Sequence, residues 1–548
     1  MFMFEKIRLA LDRNVTLANM RDHIHDTFGD SGTGFILADP LNYSIMSGDR
    51  LYLKDALNFE RRTAAFLSKQ FKIGKGESVI ICTDNNIDLP MIVFGVMRTG
   101  AIAIPLNHMM KGEEIAYIAG DSGAKTIIVD KPVFEGNIHS QSAIPGIKNW
   151  IQAGPAKDVI QGFISLDEGI AAAEPSLSPA KIDQSDVAAI FYTSGTTGKP
   201  KGSQMTSHNL FHQRLLSATL PIRGDEFAIY ALPFAHVMGF TAMVAGLFSG
   251  INQGYYLKHF DAKKVLEAME KYRGTIFLGV PSMFAMLLEN NPGSYDLSSM
   301  RVWISAADAI PAAHAEAISR LGHFIKVGPF KSRALFIEAY GMVELSGIAT
   351  FKALLPGLKF LPGCVGWPIP PLRIHIVDEN GKQVKRGVVG EIAVKGMGVT
   401  RGYWKDPAMT DESFTADGWF KTGDFGKLDL LGRMHFADRK KDVIKSGGYS
   451  IFSKEIEDRL AAHPAVAQAV VFGIPHKTKT EIPVALVILK PGINATREEL
   501  IAWAKERLSD YKAPRDIRVV NRDQLPLGPT GKVLKKVLRN EWAFKFSV

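Results

Sequence analysis

Short runs of apolar residues alternate with longer stretches of helical periodicity through the first part of the chain. The helix-like stretch LPMIVFGVMRTG lies between apolar runs, and the same rhythm returns further on, in the runs ESVIICTDN, AIAIPLN, AKTIIVD, VAAIFYTSG, GTIFLGVP and RVWISAAD. Apolar strands that alternate with helices are typical of βαβ units and a parallel sheet. We therefore predict two parallel-sheet α/β subdomains up to about residue 350.

The pattern changes after residue 361. RIHIVDENGKQVKRGVVGEIAVKG alternates apolar and polar positions around an Asn-Gly turn, which predicts a small antiparallel β subdomain. The charged stretch DRKKDVIKSGG has no clean period and is typical of a linker, and a helix–strand–strand–helix pattern follows it. We expect an α/β protein with an N-terminal body at 1–438, a hinge at 439–445 and a mobile α+β C-terminal lid at 446–548.

Two apolar segments bear on membrane association. Residues 227–257 lack Asp, Glu, Lys and Arg, but Pro233, His236 and recurrent Gly interrupt them. They predict a buried strand, a loop and a buried helix rather than a transmembrane span. The N-terminal MFMFEKIRLALDR mixes apolar and charged residues; a helix packed on its own domain is favoured, and a helix lying on lipid is the alternative.

Composition narrows the class of protein. The chain has 548 residues, 46% of them hydrophobic, with a formal net charge of +9. This mild excess favours anionic substrates, could help contact with anionic lipid, and lacks the dense basic runs of a nucleic-acid groove. Cys82 and Cys364 are the only cysteines, which excludes a disulfide framework and suits a cytoplasmic protein. A peripheral position at the inner membrane face and a homodimer remain open.

The stretch YTSGTTGKPKGS, which begins at Tyr192, has the composition of a phosphate-binding loop. It follows a buried strand, and it combines three Gly, two Lys and a cluster of three hydroxyl residues within four positions. Small residues let backbone N–H groups approach an anion, while hydroxyls and Lys201 add donors and charge. Pro200 stands where the Walker A spacing requires Gly, so a Walker loop is excluded.

This loop and five later stretches resemble, in order, the motifs of the adenylate-forming superfamily, which includes acyl-CoA synthetases and aryl-CoA ligases. The later stretches are LPFAHVMGF, EAYGMVE, GWFKTGD, GRMHFADRKKDVIKSGG and PTGKVLKKVLR. The resemblance covers nearly the whole chain. It implies that a carboxylate attacks the α-phosphate of ATP in the presence of Mg²⁺, giving an acyl-adenylate and pyrophosphate, and that coenzyme A then displaces AMP.

The resemblance also implies roles for individual residues. Lys532, Glu344, Lys201 and His236 match catalytic positions, with Lys532 between carboxylate and α-phosphate, and Glu344 and Thr197 match Mg²⁺ ligands. Lys441 matches the hinge residue, Tyr340 the adenine-stacking aromatic, and Asp424 and Arg439 the ribose contacts. The nucleotide- and CoA-binding set that it implies is Thr193, Ser194, Gly195, Thr196, Thr197, Gly198, Ala306, Ala307, Asp308, Glu338, Ala339, Tyr340, Gly341, Met342, Val343, Asp424, Phe436, Arg439, Lys441, Lys445, Gly447 and Gly448.

The substrate side favours an apolar carboxylic acid, with a fatty acid ahead of an aryl acid. His236 and Phe240 match positions that gate and line the acyl pocket, and Phe240 leads into TAMV, where amino-acid-activating relatives usually place an Asp. The chain departs from the family at Val343, where a Thr is usual. An acyl-AMP ligase that loads a carrier protein and a non-catalytic homologue remain alternatives; residues 322–333 are slightly long for the family.

Overall fold

The computed structural model describes residues 2–29, 34–175, 178–194, 199–214, 217, 226–251, 253–327, 329–354, 361, 363–447, 449–527 and 533–542. The chain divides into two compact units. The first unit takes in residues 1–373 and 395–420, and the second takes in residues 374–394 and 421–548.

The first unit is built on two sheets. Its strands, in chain order, are β1 (Phe35–Tyr43), β2 (Met46–Leu51), β3 (Ser78–Cys82), β4 (Ile102–Pro105), β5 (Thr126–Asp130), β6 (Asn149–Ala153), β7 (Ile164–Ser165), β8 (Val187–Ser194), β9 (Pro200–Thr206), β10 (Ala228–Tyr230), β11 (Gly254–Tyr256), β12 (Ile276–Gly279), β13 (Val302–Ala306), β14 (Lys326–Val327), β15 (Phe330–Lys331), β16 (Leu335–Met342), β17 (Gly347–Leu354) and β18 (Cys364–Pro368).

Parallel pairing dominates both sheets, as the apolar strands predicted. One sheet has the order β7-β6-β5-β3-β4-β8-β9, in which only the edge strand β9 runs antiparallel to its neighbour. The other follows the order β18-β17-β16-β13-β12-β10-β11-β1-β2, with parallel pairs from β16 through β1. The α/β prediction is confirmed.

Helices of the first unit cover these sheets and bury their apolar faces. The largest apolar core joins the helices Leu53–Phe71, Asp88–Arg98 and Val237–Ser249 with the central strands. A second core packs Phe277, Trp303 and Phe336 of β12, β13 and β16 against other helices. The α-helices of this unit are Phe2–Leu11, Met20–Phe28, Leu53–Phe71, Asp88–Arg98, Gly112–Ser122, Lys131–Val133, Leu166–Ala172, Ser207–Leu210, Val237–Ser249, Ala262–Lys271, Pro281–Glu289, Ala312–Ser319 and Pro407–Ser413.

The second unit combines an antiparallel ribbon with an α+β fold. Strands β19 to β22 follow one another in order, and a further sheet has the order β24-β23-β26-β25 with β27 beside β26. Its strands are β19 (Arg373–Val377), β20 (Gly390–Lys395), β21 (Phe420–Leu428), β22 (Met434–Arg439), β23 (Ile444–Ser446), β24 (Tyr449–Ile451), β25 (Val466–His476), β26 (Thr480–Leu489) and β27 (Asp516–Val519), and its α-helices are Ser453–Ala461, Arg497–Arg507 and Lys535–Trp542.

The predicted linker contains regular structure. Residues Lys440–Asp442 form one 3₁₀ turn, and Ile444 to Ser446 pair with β24 and β26. The second unit also takes in residues 374–394 and 421–438, which the sequence pattern had grouped with the body. The domain boundaries and the hinge at Lys441 stay predictions.

The long uncharged segment forms strand β10 and the buried helix Val237–Ser249, as predicted, and it ends in strand β11, which the pattern did not predict. The N-terminal helix Phe2–Leu11 buries Leu9 in the main core but leaves Phe4 and Leu11 exposed. Across the described parts of the chain, none of the helices has the length and apolar character to cross a membrane.

Candidate active site

The phosphate-loop sequence lies at the end of a β-hairpin. Strand β8 pairs antiparallel with β9, so that Thr193 faces Lys201 and Ser194 faces Pro200 at the end of the ladder nearest the connecting residues. Tyr192 anchors the strand, because its hydroxyl donates to the Asp121 carboxylate at 2.6 Å. Residues 195–198, which hold the predicted Gly195, Thr196, Thr197 and Gly198, lie outside the described residues, as does the Ser194 side chain.

Glu344 is a buried carboxylate next to this hairpin. It sits in a 3₁₀ turn directly after β16, and the hydroxyl of Tyr403 donates to its Oε1 at 3.0 Å. The ammonium of Lys201 lies 5.7 Å from the centre of the Tyr403 ring. The structure thus brings Lys201 and Glu344, two of the predicted catalytic residues, to the same aromatic side chain.

The segment around Tyr403 joins the hairpin to the Glu344 turn. The Thr400 N–H donates to the Glu344 carbonyl at 2.7 Å, and the Trp404 N–H donates to the Gly202 carbonyl at 2.7 Å. The Thr400 hydroxyl donates to the Gln204 carbonyl at 2.8 Å. Burial, with the Glu344 charge second, raises the pKa of Tyr403. Its hydroxyl therefore stays protonated and holds the carboxylate in one place.

A tight loop at the end of β13 contains Ala306, Ala307 and Asp308. Ala307 has φ of +76°, a left-handed conformation that costs an L-residue about 1–2 kcal/mol. Asp308 is tied to its own loop, since its Oδ1 accepts from the Ala309 N–H at 2.8 Å. Such strain persists where neighbouring structure holds the backbone in place.

Glu338 provides that support. Its Oε1 accepts from the Ile310 N–H at 3.2 Å, and its Oε2 lies 2.7 Å from the ammonium of Lys352. Both side chains are buried. The structure therefore places this predicted nucleotide-binding residue as a support for the loop, through a hydrogen bond and an ion pair.

The remaining motif residues of β16 lie at its carboxyl end. Ala339 is buried opposite Ala306 of β13, and Tyr340, Gly341 and Met342 are partly exposed. Gly341 admits no side chain, because a Cβ there would lie 1.8 Å from the Gly347 carbonyl oxygen. Val343 is buried and packs in the main core.

His236 begins the helix Val237–Ser249, and its Nδ1 accepts from the Met238 N–H at 3.2 Å. Four residues on, Phe240 is 1% exposed, with its ring 5.4 Å from that of Phe94 and 5.7 Å from that of Phe191. The imidazole is thus a helix cap, while Phe240 belongs to the aromatic core behind it.

In the second unit, two predicted ribose ligands are direct cross-strand partners. Asp424 of β21 pairs with Arg439 of β22, and Phe436 pairs with Gly426 on the same ribbon. Cross-strand partners have side chains about 4.5–5.5 Å apart. An acceptor for hydroxyls and a cation for phosphate therefore sit next to each other.

Hydrogen bonds, mostly to backbone groups, hold the predicted CoA-side residues of the second unit. The Lys441 carbonyl accepts from Arg539 at 2.8 Å. The Lys445 N–H donates to Glu481 at 2.8 Å, while the Lys445 ammonium donates to Ser450 at 2.7 Å. Gly447 has φ of +56°, which favours Gly. Gly448 and Lys532 lie outside the described residues.

The carboxylate of Glu344 is a motif group whose chemistry fits a hard divalent cation. A buried carboxylate held by one hydroxyl is a ligand type that Mg²⁺ prefers. The second ligand implied by the motif, Thr197, lies outside the described residues.

The sequence motifs do not identify Tyr403, Thr400 and Lys352 as residues of the site. Tyr403 follows Gly402 in TRGYW, a stretch that matches none of the quoted motifs. Lys352 pairs with Glu338 on the neighbouring antiparallel strand, a contact that the sequence around either residue does not indicate.

Two largely parallel sheets, a β-hairpin that leads into the phosphate-loop sequence and a buried carboxylate turn are features that suit a nucleotide-binding protein. Residues 48–404 match the family model described as AMP-binding enzyme, and residues 455–532 match its C-terminal domain. The chain belongs to the AMP-binding enzyme family. The predicted enzyme class is thereby confirmed.

Named relatives agree with this assignment. The chain is 31% identical, over 90% of each protein, to a long-chain-fatty-acid–CoA ligase of Bacillus subtilis. ATP-bound MatB of Rhodopseudomonas palustris is 28% identical, with a TM-score of 0.81 over 96% of this chain and 99% of that one. The o-succinylbenzoate CoA synthetase of Bacillus subtilis, with its acyl-adenylate intermediate, is 26% identical, with a TM-score of 0.75 over 98% and 99% of the two chains.

Proposed function

We propose that this protein is an AMP-forming acyl-CoA ligase that activates an apolar carboxylic acid, with a fatty acid as the favoured substrate. The observation that carries the proposal is the arrangement of Lys201, Tyr403 and Glu344 beside the β8–β9 hairpin. This arrangement offers a cation and a carboxylate beside the β8–β9 hairpin, which leads into the phosphate-loop sequence. Relatives named as fatty-acid–CoA ligases and the ATP-bound neighbour support it.

In the first half-reaction, a carboxylate oxygen forms a bond to the α-phosphorus of ATP, and the bond to pyrophosphate breaks. Lys201 offsets charge on the departing pyrophosphate. Glu344, with Thr197 as the motif resemblance implies, would hold Mg²⁺, which would supply positive charge against the phosphate oxygens. In the second half-reaction the CoA sulfur forms a thioester and AMP leaves, because phosphate is a far better leaving group than oxide.

The uncharged helix that His236 caps supports the proposal of an apolar acyl group. Val237–Ser249 carries no charged side chain and is buried along most of its length. An acyl chain bound next to such a helix gains apolar burial, whereas a charged acid would lose solvation without a partner. An aryl acid is the second candidate, supported by the neighbour that handles o-succinylbenzoate.

The carrier-protein alternative depends on the long segment at residues 322–333. The structure forms a short hairpin there, β14–β15, which directly precedes β16. Glu344 lies beyond the other end of that eight-residue strand, roughly 25 Å from its start at the usual rise. Within the first unit the insertion is therefore remote from the nucleotide motifs, which favours CoA as the acceptor.

The test is a screen of pyrophosphate release with fatty acids of graded length and with aryl acids, each with and without CoA. We expect acid-dependent release, and thioester and AMP only with CoA. Lys532→Ala should abolish adenylation. Adenylates without thioesters would favour the carrier-protein ligase, and no release with any acid would favour a non-catalytic homologue. Cytoplasmic location, dimerisation and membrane contact through Phe2–Leu11 stay predictions.

A further inference from the structure

Asp84, His108 and His259 meet at the carboxyl ends of three parallel strands in the first unit. Asp84 follows β3 and His108 follows β4 in one sheet, while His259 follows β11 in the other. Each residue offers one ligand atom, and these atoms all lie within 4.8 Å of one another. Ligands of α/β proteins bind at such strand ends.

The Asp84 carboxylate presents its two oxygens to different neighbours. Oδ1 lies 3.2 Å from the His259 Nε2 and 4.0 Å from the His108 Nε2. Oδ2 lies 3.6 Å from the ammonium of Lys258, which is also 3.7 Å from Asp39. A cation held between Oδ1 and the imidazoles would therefore leave the lysine contact in place on the other oxygen.

Hydrogen bonds hold the ligand segments together. Asn85, next to Asp84, donates to the carbonyl of Lys258, next to His259, at 2.9 Å. The Asp84 N–H donates to Asp130 at 2.7 Å, and the His108 carbonyl accepts from Asn137 at 2.6 Å. The protein therefore fixes the three segments without help from an ion, as a specific metal site requires.

We propose that Asp84, His108 and His259 bind one divalent transition-metal ion. Two imidazole nitrogens and one carboxylate oxygen are a donor set that suits Zn²⁺ and excludes Mg²⁺ and Ca²⁺ as preferred ions. Tetrahedral ligands around Zn²⁺ stand about 3.3–3.5 Å apart, so small side-chain movements complete the site. His259 is 53% exposed and His108 is 25% exposed, which leaves room for water as a further ligand.

Such an ion would join the strand ends of the two sheets of the first unit. Asp84 and His108 belong to the sheet that carries the phosphate hairpin, and His259 belongs to the sheet that carries Glu344. The bound ion should therefore stabilise the folded protein against unfolding. It requires no substrate, so the inference does not rest on the proposed ligase activity.

The experiment uses untagged full-length protein that has been freed of metal with a chelator and then dialysed. Isothermal titration with ZnCl₂ in excess MgCl₂ should show one Zn²⁺ per chain. His108→Gln and His259→Gln should each weaken binding at least about tenfold. The matched control is His139→Gln, an exposed histidine outside the cluster, which should bind as the wild type does. Lys258→Met should strengthen binding, because it removes a competing charge.

Co²⁺ supplies a readout that needs no variant. Its visible bands report tetrahedral imidazole and carboxylate ligands in the wild-type protein, and ZnCl₂ should abolish them by displacement. Circular dichroism checks the fold of each variant. If a histidine variant does not fold, Asp84→Asn replaces it as the ligand variant and should also weaken Zn²⁺ binding. The proposal is overturned if the wild type takes up no stoichiometric Zn²⁺, or if folded variants bind it as tightly as the wild type.

Discussion

The two units hold their parts of the nucleotide motifs in different ways. In the first unit, Glu344 is 6% exposed, and both its carbonyl and its carboxylate accept hydrogen bonds from the 400–403 segment. In the second, Asp424 and Arg439 lie partly exposed on the neighbouring strands β21 and β22, and Lys445 is exposed. Burial and these hydrogen bonds preorganise the first arrangement for ATP, whereas the side chains of the second are more exposed to solvent.

This difference predicts that charge changes in the first unit reduce the rate, and that those in the second reduce affinity. Glu344→Gln should have the largest effect, a loss of about 100- to 1,000-fold in kcat for pyrophosphate release, because it removes a preorganised charge. Stopped assays of pyrophosphate release at saturating ATP and Mg²⁺ measure this loss in kcat.

The control for Glu344→Gln is Asp167→Asn, another buried carboxylate of the first unit, which accepts hydrogen bonds from Ser44 and Ala156. A folded Asp167→Asn protein should retain wild-type kcat. If Glu344→Gln changes only the KM for ATP, the contrast between the units is wrong.

Asp424→Asn should mainly raise the KM for ATP, by about 30-fold. The amide keeps one acceptor for the ribose hydroxyls but loses the charge, at a cost of about 2 kcal/mol. Steady-state kinetics with varied ATP measures this KM. The control is Asp429→Asn, in the turn between β21 and β22. An unchanged KM with reduced kcat would mean that the ribbon is as preorganised as the Glu344 turn.

Much of this architecture was predictable from local patterns. Apolar strands between helices predicted the parallel sheets, since burial on both faces requires such strands. The strand Ile444–Ser446 was not predicted, because its charged sequence pairs only when β24 and β26 lie next to it. The contact of Tyr403 was not predicted for a similar reason. Tyr403 is 59 residues from Glu344, whose carboxylate it holds, and a single sequence contains no signal for such a contact.

Val343→Thr tests whether the part of the nucleotide site in the first unit lacks one polar group. A Thr is usual at this position in the motif that the chain resembles. Val343 is 9% exposed, and we expect a Thr hydroxyl at this edge of the core to reach the α-phosphate and add one hydrogen bond in the transition state. We expect kcat to rise about tenfold, the equivalent of about 1.4 kcal/mol. Val343→Ala controls for lost packing and should not raise kcat. A folded Val343→Thr protein with unchanged kcat would show that the hydroxyl has no role here.

Tyr403→Phe should have the smallest effect, a loss of about fivefold in kcat, because it removes one hydrogen bond worth about 1 kcal/mol while the carboxylate stays. Burial and the Glu344 charge raise the pKa of Tyr403 above its ordinary value, so its hydroxyl donates at every pH at which the enzyme is assayed. The ratio of wild-type to variant kcat should therefore be constant from about pH 6 to pH 9. Tyr117→Phe, in the same unit, is the control. A ratio that fell towards one as pH rose would mean that the hydroxyl ionises in this range, and that the turn around Glu344 is more open to water than the first unit's hydrogen bonds indicate.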